Sequence, residues 1–175
     1  MGTPDAASGQ SRRAHEPATP LLISLLDTSW ALKIPARGFV VLKQEIVPET
    51  HRAKVTAVNR ETGSALSIRI EPVAVPGDAQ VYREYYWRLE QQRVPKTQSV
   101  RIWQKDAIAF LEYLVDLPDP EGYEQHLHAF LVKDTVWVDV HVSNIDKQAS
   151  PPGSLEPLLA GLAIQPLDDK SPPSL

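Results

Sequence analysis

Three of the chain's five histidines lie close together, as His126, His128 and His141. The stretches 126–132 and 136–143 alternate apolar and polar residues and predict the two arms of a β-hairpin. Alternation places Leu127, Ala129, Leu131, Val136, Val138, Val140 and Val142 on one face, and His126, His128, Phe130, Trp137, Asp139, His141 and Ser143 on the other. Alternate residues of one strand, together with a residue of its neighbour ~4.8 Å away, form a set that is able to hold zinc. His126, His128 and His141 are the candidate ligands, and Asp139 is placed to orient one of them through its second ring nitrogen.

Two registers are open. A Lys133-Asp134 turn sets His128 opposite Asp139 and His126 opposite His141, whereas an Asp134-Thr135 turn sets His128 opposite His141 and His126 opposite Ser143. Both keep the imidazoles together. The same strip also reads as a half-buried sheet surface, or as a binding face formed by His128, Trp137, Asp139 and His141. A hydrolytic serine is disfavoured, because His141 and Ser143 are two apart on one strand and so ~7 Å from each other. No glycine-rich phosphate loop or His-Glu-x-x-His pattern occurs in the chain.

A second candidate surface comes from a helix predicted from an Asp78 N-cap to about Arg93. Helical spacing makes Val81, Tyr82, Tyr85, Tyr86 and Leu89 its apolar stripe and turns Trp87 the other way, beside Arg83 and Glu84. Arg83, Tyr85 and Trp87 then form a contact surface for a protein partner. The alternative is that Leu21 to Leu26 straps over the Trp87 side of the helix.

Strands account for most of the rest. Trp30 to Ile34 and a run beginning at Phe39 open the domain, and the stretches 53–59 and 65–71 form a hairpin with one wet face. Two further strands, 99–104 and 107–115, flank a Lys105-Asp106 turn. After the histidine hairpin, Ser154 reads as the N-cap of a last helix carrying Leu155, Leu158, Leu159 and Leu162.

With 175 residues and 42% hydrophobic content, one domain is expected at 21–165. Composition predicts disordered tails at 1–20 and 166–175. A net charge of −4 without a basic cluster disfavours nucleic acid as a partner. The run Leu21 to Leu26 is too short for a transmembrane segment or a signal h-region. The sequence as given therefore reads as cytoplasmic, and as exported or periplasmic if a signal peptide has been removed. The absence of cysteine excludes disulfides and thiolate metal sites, and fixes no compartment.

The order of these elements, with a tryptophan in the first strand, Tyr-Trp in the helix, Ala109-Phe110-Leu111-Glu112-Tyr113 and then the two arms 127–134 and 137–143, resembles bacterial proteins of unknown function with a PsbP-like α/β/α sandwich fold. The resemblance spans roughly 29–164 and departs at Thr135, where similar sequences carry glycine. It implies an accessory or binding role and transfers no catalytic residue. The expected fold is α+β: a single antiparallel sheet of about six to eight strands with two main helices packed on it. The expected function is a non-enzymatic protein contacting a protein or small ligand without a cofactor. The alternative is a zinc-binding domain, with a hydrolytic version, centred on residues 126–143.

Overall fold

The computed structural model describes residues 20–24, 28–35, 38–74, 76–94, 96–118 and 121–167. The expectations for the outer tails, 1–19 and 168–175, lie outside these. The elements are β1 (Leu21–Ser24), β2 (Trp30–Ile34), β3 (Phe39–Val47), β4 (Arg52–Asn59), β5 (Ala65–Pro72), α1 (Ala79–Arg93), β6 (Thr97–Lys105), β7 (Ile108–Pro118), β8 (Glu121–Lys133), β9 (Val136–Asp146), α2 (Glu156–Leu159) and β10 (Ala163–Pro166). Seven strands form one antiparallel sheet in the order β3-β4-β5-β9-β8-β7-β6, and β1-β2-β10 form a second.

This corrects the expected α+β fold of one sheet carrying two helices. The described residues are mostly β, with two sheets and one substantial helix among them. The four-residue strands β1 and β10 both pair with β2, so the opening strand Trp30–Ile34 joins a small sheet of its own. The second helix shrinks to one turn. Proline occupies its start, the bonds Leu158 N→Leu155 O and Leu162 N→Leu159 O are of the i→i−3 type, and Gly161 at φ 95 ends it. Leu155, Leu159 and Leu162 are still buried, so their spacing is served by tight turns instead of a full helix. Nor is Ser154 a cap, since its Oγ donates to Gln125 Oε1 at 2.6 Å.

The main core lies between the two sheets. Ile23, Trp30, Leu32 and Ile34 pack with Val55, Leu66, Ile68 and Ile70 and with the apolar face of the histidine hairpin, Leu127 to Val142. A buried indole N–H requires an acceptor, and Trp30 Nε1 donates to Asp134 Oδ2 at 2.9 Å, which ties β2 to the β8–β9 turn. Asp134→Ala is expected to cost about 1 kcal/mol in urea unfolding. An unchanged midpoint would show that the link contributes nothing.

The opposite face of the large sheet is covered by α1. Its Asp78 cap accepts from the backbone N–H groups of Gln80 and Val81, as expected. The helix joins β5 to β6 and must therefore pass over β9, β8 and β7, which lie between them. This crossover places it above the histidines. The predicted stripe is corrected by rotation: Val81, Tyr85 and Leu89 are exposed, while Ala79, Tyr82 and Arg83 are buried and Tyr86 and Trp87 pack inward. Trp87 lies against Tyr113 with centroids 5.3 Å apart, and Leu21–Ser24 belongs to the small sheet instead of strapping the helix.

Candidate functional site

The hairpin adopts the second of the two registers. Lys133 pairs with Val136 across an Asp134-Thr135 turn, His128 faces His141, and His126 faces Ser143. Asp134 takes φ 54, a left-handed value that aspartate tolerates better than most residues. β5 lies beyond β9 and brings Ser67 opposite His141 and Arg69 opposite Asp139, while β7 sets Tyr113 opposite His126.

Each imidazole is held from behind. His128, which is 1% exposed, directs Nδ1 at Asp139 Oδ1 at 3.0 Å. His141 Nδ1 lies 3.4 Å from Ser67 Oγ, and His126 Nε2 lies 3.5 Å from Glu124 Oε2. Of the other nitrogens, His126 Nδ1 is 3.0 Å from His141 Nε2, and the buried Nε2 of His128 has no hydrogen-bond partner. One ring nitrogen from each histidine lies within 4.8 Å of the others.

Without a metal, one proton arrangement satisfies the chain of contacts. Ser67 donates to His141 Nδ1, His141 Nε2–H donates to His126 Nδ1, and His126 Nε2–H donates to Glu124. That hydrogen bond holds the Glu124 carboxyl below its usual range. Asp139 accepts Nδ1–H from neutral His128, which leaves the His128 Nε2 lone pair without a donor.

Burial dominates the electrostatics. It pushes both His128 and His141 well below the usual imidazole pKa and raises Asp139 to about 6. Aromatic rings enclose the group. His128 and His141 stack with centroids 4.0 Å apart and planes 1° apart, Tyr86 covers His128 at 4.5 Å, and Tyr113 stacks on His126 at 4.7 Å. Burial raises the Tyr86 and Tyr113 phenols far above their normal range.

Four-coordinate zinc with Zn–N near 2.1 Å requires nitrogens ~3.4 Å apart. The His126–His141 pair is already closer than this, whereas His128 must turn out of its stack on His141 to join them. Closely spaced imidazoles with outer partners, one of them with an unpartnered ring nitrogen, suit zinc or a similar borderline cation.

The remaining predicted residues are dispersed. Trp137 is on the same face but stacks on Tyr82 at 5.3 Å. Tyr85 is exposed on the outer side of α1, Arg83 is buried with Nη1 donating to Trp103 O at 3.3 Å, and Trp87 is packed, so these three form no common patch. Glu124, Ser67, Tyr86 and Tyr113 were not anticipated. Glu124 was readable, since it precedes His126 by two residues and shares its face. A cavity of about 640 Å³, lined by Trp103, Ile108, Phe110, Leu159 and Leu162, opens beside α2 on the other face of the sheet and does not reach the histidines. Among the described residues, no helix is long and apolar enough to cross a membrane. No family model matches the chain, and no curated protein matches it either.

Proposed function

We propose that this protein is a binding domain for a divalent metal of the zinc class, with His126, His128 and His141 as ligands. The observation that carries this reading is the buried, unpartnered Nε2 of His128 beside two more imidazoles, each ring being held from behind by a carboxylate or hydroxyl. A buried nitrogen without a partner is costly, and coordination would satisfy it. Asp139, Glu124 and Ser67 would fix ring orientation in the way that outer partners of metal-bound histidines do. Metal binding would also displace the proton shared by His126 and His141.

The test uses full-length chain purified without a histidine tag. Isothermal titration with zinc is expected to give one site per chain with proton release. Asp139→Asn is expected to weaken that site ~10–100-fold, and His126→Gln to weaken it further. Absence of stoichiometric uptake, or uptake unchanged in both variants, rejects the reading.

A further inference from the structure

We propose that β3 is a self-pairing edge through which two copies of the chain associate, antiparallel, about a two-fold axis at Gln44. Among the described residues β3 has a single strand neighbour, β4, so its other side presents backbone donors and acceptors to solvent. Val40, Val41, Leu42, Ile46 and Val47 are all at least 36% exposed. Such an apolar edge is ordinarily blunted. The opposite edge, β6, is interrupted by a register shift between Gln98 and Arg101 and by Ser99 at φ 50. β3 also has a shift, between Val41 and Lys43, but it then runs in unbroken register from Lys43 to Val47.

The sequence of this run is self-complementary. Opposed residues of an antiparallel pair point to the same side of the sheet, so a two-fold normal to it must pass through a residue and not between two. An axis through Lys43 would oppose lysine to lysine, and one through Glu45 would oppose glutamate to glutamate. Gln44 sets Lys43 of each copy against Glu45 of the other, twice, and brings the exposed Val41–Leu42 bulge of each copy near Ile46 and Val47 of the other. Within one chain Lys43 Nζ and Glu45 Oε1 lie 2.5 Å apart with side chains 68% and 52% exposed, so both point to one side and are free to exchange partners. The occupant is therefore a second copy of this chain.

The charges give a decisive experiment. Analytical ultracentrifugation of the full chain is expected to show a dimer with a Kd on the order of 10 μM, as suits a small interface. K43E opposes four glutamates across the axis and E45K opposes four lysines, so each variant alone is expected to be monomeric. An equimolar mixture restores both Lys-Glu pairs and is expected to dimerise as heterodimer. Circular dichroism checks that both variants fold. Three results overturn the proposal: wild-type chain that stays monomeric at ~500 μM, a dimer that survives either single substitution, or a mixture that remains monomeric.

Discussion

Replacing Glu112 with alanine is expected to destabilise the protein by about 3 kcal/mol, the largest effect we anticipate from a single polar side chain. Glu112 is 1% exposed, yet its carboxyl group is fully engaged. It accepts from Arg101 Nη1 at 2.7 Å, from Gln125 Nε2 at 2.7 Å and from the Gly153 backbone N–H at 2.8 Å. Arg101 also reaches Glu156 at 2.9 Å, and Gln125 accepts from Ser154. One carboxyl group thus joins β6, β7 and β8 to the segment that leads into α2. Truncation leaves the Gly153 N–H without its acceptor and Gln125 Nε2 with only a long 3.4 Å bond to Pro151 O, in a site too enclosed for water to replace the carboxylate freely. The Arg101 share is small, because its side chain is 39% exposed. Glu112→Gln keeps the shape and one acceptor oxygen and is expected to cost about half as much. Urea denaturation measures both, and a loss below ~1 kcal/mol for the alanine variant would show that water takes over the network.

Acidification is the second large effect. His128 and His141 have native pKa values well below 6.5, chiefly through burial, so the unfolded chain binds protons that the native state refuses. Their contribution is complete above pH 6.5 and is lost as the pH falls. Asp139 acts in the opposite sense: raised from 3.8 to about 6, it takes up a proton in the native state first and recovers stability between those values. Two groups that lose stability against one that recovers it leave a net fall in stability as the pH drops below 6.5. Thermal unfolding in EDTA should show Tm falling between pH 6.5 and 4.5. His141→Asn should flatten the slope. A Tm that holds steady across the range would mean that the histidines titrate normally in the folded protein.

The sequence made the histidine face legible because strands have a period of two. Once 126–132 and 136–143 are strands, no arrangement separates the three rings. The register was not legible, since it depends on whether Asp134 enters the left-handed region, and Thr135 gave no glycine signal for the turn. The small sheet escaped for a different reason. β1 and β10 are four residues each, and β10 reaches β2 from a segment far away in the chain. Leucines 155 to 162 satisfy helical spacing, but Pro151, Pro152 and Pro157 restrict the backbone to turns. On α1, hydrophobicity alone put Val81, Tyr85 and Leu89 inside. The helix instead lies on a mixed surface where Tyr82, Tyr86 and Trp87 find Trp137, His128 and Tyr113, partners that become visible only when the strand order is known.

That order also bears on how the protein folds. All three imidazoles come from a single hairpin closed by a two-residue turn, whereas Ser67 and the α1 cover arrive through the distant β5–β9 pairing and the crossover. Local hairpins close in microseconds, and contacts between remote segments form later. The three-histidine set can therefore exist before the domain does. If the proposed cation were captured at that stage, it would hold the hairpin in register while the remaining strands add to either side, and the site would act as a staple for assembly as well as a feature of the finished fold.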